Sequence, residues 1–429
     1  MLGALLAPAL ALVLAPAPAV ASDVAVAAGE VGGPGLALRA RKALLATREG
    51  PGVVDHALAL VRDGRIEAVG PADELEVPAG YVLEDLGDAW IMPGMIDLHS
   101  HVGGTGDIND MVLQTNEGLR VSTAVVPENP NLQRLLSAGV TTVLFIPGSG
   151  TNIGGQGILI KTGLDTFEAM RVRDPGSLKI AQGDNPTRWG YGMGRAMMTF
   201  HVRTAVKKGL AHARAKAAGE PLAVERGSED IQYEVFDELL AKRTQVSTHT
   251  QVYHLVLLSI MLLKGELGLD VYIDHGEWGA FRLASIAQEM GVAAICGPRI
   301  IDTFASPRSD TDGAILSVPG EYQRRGLELV GFNTDAPVVP GEELPVQAAM
   351  GVRYGMRNSA LEHVKGLTIV PAVVAGIDDR VGSLEAGKHA DVVVLGGDPA
   401  DPRSAIERVY IEGRLVYRAD ELGAGGRRW

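Results

Sequence analysis

The chain has 429 residues, enough for one large domain and a smaller companion with ample core. Hydrophobic residues make up 46% and charged residues 21%, a balance that excludes a disordered chain. A formal charge of -13 excludes a general nucleic-acid binder, because no basic stripe is available to neutralise phosphates.

Residues 1–21, MLGALLAPALALVLAPAPAVA, form an apolar run broken by Pro8, Pro16 and Pro18. The run ends in Ala19-Val20-Ala21, a small-x-small cleavage pattern, and reads as a secretory signal peptide removed near Ser22. The protein is therefore expected to be exported, periplasmic or secreted, although no Lys or Arg precedes Arg39 to form the usual basic n-region. Further on, HLVLLSIMLL is about half the length of a membrane span and reads as a core helix, so no span is expected in the mature chain.

Residues 22–92 read as short strands. Alternation is clear in HALALVRDGRIEAVG, with Asp63-Gly64 as a hairpin turn. The tail, residues 371–429, repeats this texture in HADVVVLGGDP and IERVYIEGRLVY, with a Glu412-Gly413 turn. These two β-rich ends are expected to meet in one small β-sandwich domain, which the chain leaves and re-enters. Between them, residues 93–370 alternate apolar runs with helix-length segments. The candidate strands are MIDLH, VTTVLFI, GILIK, LKIAQ, TQVSTH, DVYIDH, VAAIC and ELVGFN. Helical patterns separate several of them, among them NPNLQRLLSAG, capped by Asn129 or Asn131, and GAFRLASIAQEMG. Such alternation means parallel βα units, and eight strands over this length predict an α/β fold, a (β/α)8 TIM-type barrel. A doubly wound open sheet is the rival. Its phosphate-binding fingerprint is unconvincing here, since GSGTNIGGQG lacks the strand–turn–helix context.

The chain holds ten histidines and one cysteine. Cys296, inside GVAAIC, has no disulfide partner and reads as an inert buried thiol. His56, His201, His212, His363 and His389 take the ordinary structural or surface reading. Four others share a pattern: His99 ends MIDLH, His101 follows two residues later, His249 ends TQVSTH and His275 ends DVYIDH. Three strands thus deliver imidazole at their C-terminal tips, the barrel face where catalytic groups collect. In an extended chain the i, i+2 spacing of His99 and His101 turns both side chains the same way. Both can then bind one cation, as neutral imidazole does with zinc and related divalent metals. On the last strand, LVGFNTDAPVVP places Asp335 just past an apolar run. Alone, Asp335-Ala-Pro is a turn starter. After three His-tipped strands it becomes a metal ligand that can also take a proton from bound water.

With these residues in place the sequence resembles the amidohydrolase superfamily of metal-dependent hydrolases, nearest its imidazolonepropionase-like branch. The resemblance runs from about residue 35 to the end. Its most specific parts are PGMIDLHSH, AGVTTVLFIPGS, DHGEWGAFRLA, NTDAPVVP and the tail from DRVGSLEAGKHADVVVLGGDP. It implies a site for one or two divalent ions, zinc first, with manganese or iron as alternatives. His99, His101, His249, His275 and Asp335 would be the ligands. A binuclear site also implies a bridging group on a middle strand, a carboxylated lysine or an acid. Members of the branch carry GENP where this chain has GDNP, which makes Asp184 the first candidate, with Lys161 and Lys179 behind it. Another departure is Val370 in LTIVPA, where many members have Asn.

The resemblance implies hydrolysis of a C–N bond in an amide, cyclic amide or peptide-like small molecule, with Asp335 as general base and then acid. Deamination is the near rival, and deaminases of the superfamily carry a glutamate shortly after the middle-strand histidine. Here that segment reads HTQVYH, with no acid, and Glu277 stands two residues after His275 instead. A catalytically silent barrel serving as a binding protein is the other alternative. Gln251, Tyr253, His254, Arg188, Trp189 and Arg195 are candidates for substrate contact, and a second copy of the chain is a candidate partner. An exported protein would scavenge peptides or other amides rather than serve histidine degradation.

Overall fold

A computed structural model describes residues 34–49, 52–106, 108–189, 194–222, 228–298, 300–302 and 315–422. The signal-peptide reading of residues 1–21 lies outside the described residues. Five strands open the chain: β1 (Gly35–Leu44), β2 (Val53–Arg62), β3 (Arg65–Pro71), β4 (Tyr81–Asp85) and β5 (Trp90–Pro93). The barrel follows with β6 (Met95–Ser100), β7 (Val140–Phe145), β8 (Ile153–Lys161), β9 (Arg171–Ala181), β10 (Val246–Thr250), β11 (Val271–His275) and β12 (Ala294–Cys296). A two-stranded ribbon of β13 (Ile301–Asp302) and β14 (Leu316–Ser317) precedes the last barrel strand, β15 (Val330–Phe332). The chain ends in β16 (Val392–Leu395), β17 (Ile406–Ile411) and β18 (Arg414–Arg418).

Both chain ends form one eight-stranded sheet in the order β18-β17-β16-β5-β1-β2-β3, with β4 paired to β1. The β5–β16 ladder joins the N-terminal strands to the C-terminal ones, so the chain leaves this sheet after Pro93 and returns at Val392. Leu38, Ala40, Ile91, Val392, Val394 and Tyr410 are packed together in its core. Asp63-Gly64 turns β2 into β3 with both residues at positive φ, as a tight hairpin requires.

The barrel sheet runs β15-β12-β11-β10-β9-β8-β7-β6. A backbone bond from His101 N to Ala336 O, 2.8 Å, brings the end of the first strand against the segment after the last. One strand departs from the expected all-parallel order. β8 pairs antiparallel with both β7 and β9. The segments on either side of it are short, and a parallel crossover needs a dozen residues or more, so the chain can only double back. The Gly-rich GSGTNIGG therefore makes a turn between antiparallel strands rather than a nucleotide loop.

The helix Pro130–Ser137 begins as its sequence predicts. Asn129 is the cap, its side chain accepting from Asn131 N at 2.9 Å, with Pro130 at the first helical position. HLVLLSIMLL is helical, running through Tyr253–Ser259 and Ile260–Glu266. Among the described residues no helix is long and apolar enough to cross a membrane. Two long outer helices, Arg195–Ala218 and Ser228–Leu240, cover the barrel between β9 and β10. Their buried residues Val206, Leu210, Val235 and Phe236 join the same core as Leu178 and Val246.

Candidate metal centre

Strand-end geometry gathers the predicted side chains at one point. Ligating atoms of His99, His249, His275 and Asp335 all lie within 4.8 Å of one another, and all four residues are buried. His101 adjoins them, its Nε2 3.2 Å from His99 Nε2 and 3.1 Å from Asp335 Oδ1. Asp335 Oδ1 is also 3.1 Å from His99 Nε2. Two of these residues hold backbone that side chains seldom adopt, His275 at φ 80 and Asp335 at φ 50. Such strain persists where surrounding structure fixes it, and it clusters at functional sites.

Each imidazole is oriented from behind. His99 Nδ1 donates to Asp274 Oδ2 at 2.6 Å, His101 Nδ1 to Ile146 O at 2.9 Å, and His275 Nδ1 to Gly297 O at 2.5 Å. These acceptors fix the tautomer, so all three Nε2 atoms turn lone pairs inward. His99 and His101 then aim two lone pairs at one carboxylate oxygen. Three acceptors facing one another repel unless a cation or a proton stands among them. His249 adds to this. Its Nδ1 is shared by Ser149 Oγ and His275 Nε2, both at 2.8 Å, while its Nε2 is buried with no hydrogen-bond partner. A glycine is required beside it, because a Cβ on Gly183 would stand 2.8 Å from His249 Cδ2. An orphaned buried nitrogen, a carboxylate and inward lone pairs make a donor set that fits a divalent cation.

The electrostatics agree. Burial lowers the pKa of His249 well below the ordinary value and that of His275 to about 4, with neighbouring imidazoles adding to the effect. Burial also lowers His101. Burial opposes charge on His99 as well, but the Asp274 and Asp335 carboxylates outweigh it and raise its pKa. Burial would lift Asp335, yet His99 and His101 hold its carboxyl well below the usual range. Neutral His101, His249 and His275 beside an ionised carboxylate are in the protonation states that ligation needs, whereas His99, its pKa raised, would release a proton on ligation.

Of the two bridging candidates whose side chains are described, Lys179 reaches the centre and Lys161 does not. Lys179 on β9 is fully buried, with Nζ 3.1 Å from His99 Nε2. Burial lowers its pKa to about 8 against the pull of Asp274 and Asp335. Lys161 is engaged elsewhere, in a buried ion pair with Asp391 next to the end-formed sheet. Asp184 opens the short helix Asp184–Trp189, and its side chain lies outside the described residues, as do those of Arg188 and Trp189.

Other residues also have defined places. Gln251 is buried and donates to Glu277 Oε2 at 3.3 Å, while Tyr253 is half-buried, and His254 and Arg195 are exposed. His212, His363 and His389 face Asp230, Asp398 and Glu412, in keeping with their structural reading. Cys296 is fully buried, and burial pushes its thiol pKa up. Sequence reasoning missed Asp274 and Ser149. Asp274 stands directly before His275 in DVYIDH, and its second oxygen accepts from Asn333 Nδ2 at 3.0 Å. Asp97 was missed too: it accepts from Thr334 Oγ1 at 2.5 Å and His99 N at 3.0 Å, tying the first strand to the last.

The amidohydrolase family matches residues 90–416, three quarters of the chain. The chain belongs to the amidohydrolase family. It is a hydrolase acting on carbon–nitrogen bonds. An imidazolonepropionase of Agrobacterium fabrum is 30% identical over 394 residues, covering 82% of this chain and 88% of that one. Amidohydrolase tasK of Hapsidospora irregularis is 25% identical over 389 residues, which cover 80% of this chain but 38% of that longer protein. Among solved structures, an amidohydrolase from Thermotoga maritima superposes with a TM-score of 0.77 at 29% identity, covering 89% of this chain and all of that one. The family's barrel and the end-formed second sheet are both present here.

Proposed function

We propose that this amidohydrolase cleaves an amide, cyclic amide or peptide-like bond at a centre held by His99, His101, His249, His275 and Asp335, with Lys179 as the bridging group. The convergence of three imidazoles and Asp335 within 4.8 Å, each ring pinned from behind, carries this reading. One or two divalent ions, zinc foremost, would polarise the substrate carbonyl there and lower the pKa of a bound water toward neutrality. Asp335, ionised at neutral pH, accepts the proton of the attacking water and delivers it to the departing nitrogen. The products are a carboxylate and an amine. Lys179, with its pKa lowered to about 8, offers a neutral amine fraction that can add carbon dioxide, release a proton and become a carbamate. Lys179 is preferred here to Asp184, the first candidate by sequence, on the strength of its contact with His99. The run of residues 1–21 supports a substrate met outside the cytoplasm.

One observation favours deamination as a second reading. Glu277 reaches the segment after His249 by accepting a hydrogen bond from Gln251, so an acid stands where sequence spacing had placed none. A panel of dipeptides, N-acyl amino acids, lactams, cyclic ureides and amino-substituted heterocycles, run with metal-loaded protein, separates the two. Hydrolysis predicts a carboxylate and an amine from at least one of the first four classes. Asp335→Asn should reduce that turnover by about 10²–10⁴-fold with the circular dichroism of the fold unchanged. Ammonia released from a heterocycle alone, or full turnover by Asp335→Asn, would overturn it.

A further inference from the structure

The opposite end of the barrel holds a second concave site. A cavity of about 550 Å³ opens where β9, β10, β11, β12 and β15 begin, against the helix Ile369–Ala375. Tyr272, Ala293, Leu329, Val373 and Val374 give it an apolar wall. Five cationic residues also line it, Arg173, Lys242, Arg243, Lys264 and Arg380, against one lining carboxylate, Asp270. Asp270 is shared by Lys264 at 3.0 Å and Lys242 at 3.4 Å. Glu238 occupies Arg243 through two bonds of 2.7 Å.

The two remaining guanidiniums are poorly neutralised. Arg173 donates to Ala375 O at 2.6 Å, Gly176 O at 2.8 Å and Gln245 Oε1 at 2.6 Å, all uncharged acceptors. Arg380 donates to Val172 O at 3.4 Å, and its one ion-pair partner among the described residues is Asp379, at 3.8 Å, a side chain 78% exposed and therefore screened by water. The two arginines repel each other; burial and then Arg380 lower the pKa of Arg173 to about 10. Donors are also in surplus, since Arg173 Nε and Gln245 Nε2 are buried without hydrogen-bond partners. Packing alone does not call for two mutually repelling guanidiniums lining one apolar cavity, whereas an anion would relieve both the repulsion and the unmet donors.

We propose that this cavity binds a small organic oxyanion, its carboxylate or phosphate on Arg173 and Arg380 and its apolar body on Leu329, Val373 and Val374. The site is separate from the metal centre. Val271 lines the cavity and His275 lies at the other end of the same five-residue strand, roughly 13 Å away at the rise of an extended chain. The inference does not depend on the bond the metal centre cuts.

Calorimetric titration of the full-length, metal-loaded protein with phenyl phosphate, benzoate and inorganic phosphate tests it. The tighter of the two organic anions identifies the headgroup, and inorganic phosphate is expected to bind more weakly than phenyl phosphate. Arg380→Gln, a half-exposed rim residue, should weaken the organic anion at least about tenfold while leaving metal content unchanged. Arg173→Lys, which keeps charge but loses the fork, should weaken it as well, and rising salt should do the same. Absence of binding by both organic anions up to about 10 mM, or equal affinity in Arg380→Gln and the wild type, would overturn the proposal.

Discussion

Replacing Lys179 by Met removes an ammonium and keeps an unbranched side chain of similar length in a fully buried space. In the metal-free protein burial moves the Lys179 pKa from 10.5 to about 8. Below about pH 8 the folded chain carries that proton against burial. The lysine then destabilises the fold by the whole shift, on the order of 3 kcal/mol at 1.36 kcal/mol per unit. Between pH 8 and 10.5 the unfolded chain binds more protons than the folded one, so wild-type stability rises with pH across that window. Metal-free Lys179→Met is therefore expected to exceed the wild type in stability by up to about 3 kcal/mol near pH 7, with the gap closing toward pH 10.5. Urea titrations of both chelated proteins at pH steps through this range read the difference directly. A variant less stable than the wild type near pH 7, or a gap that does not narrow above pH 8, refutes the reasoning. A residue that weakens the empty fold belongs at a functional centre, where stability is commonly given up for chemistry.

Asp274→Asn leaves His99 Nδ1 without its carboxylate and should weaken metal affinity by about 10–100-fold in a competition titration with a chelator; unchanged affinity would contradict the orienting role. Lys161→Met leaves Asp391 buried and unpaired, so stability should fall by about 3–5 kcal/mol with metal content unaltered. Loss of metal at unchanged stability would instead move the bridging role to Lys161.

Much of the site was legible in sequence because the chemistry uses short-range geometry. His99, His249 and His275 each close an apolar run, and an apolar run that ends in a polar imidazole marks a strand tip. The Asn129 cap and the Asp63-Gly64 turn were readable for the same reason, being decided within a few residues. The reversed strand β8 was not, since GILIK is equally apolar whichever way it runs and only the short segments around it decide its direction. Bridging candidates were ranked on motif position, which favoured Asp184. Between the two lysines, contact with His99 favours Lys179, and that contact does not exist before the barrel closes. Glu277 was set aside for the same reason: it lies 26 positions beyond Gln251 in sequence, yet the two side chains are in contact. Cations at the barrel's other end come from four separate segments, Arg173, Lys242 with Arg243, Lys264 and Arg380, and no window of sequence shows them as a group.

The central claim is that the side chains around His99 hold a divalent metal, and elemental analysis tests it most directly. The purified full-length protein, stripped with chelator, reloaded with zinc or manganese and desalted, is expected to hold about one or two ions per chain. A His249→Ala, His275→Ala double variant treated alike is expected to retain almost none. A wild-type protein that stays metal-free after reloading, or a double variant that binds as much metal as the wild type, would contradict the account.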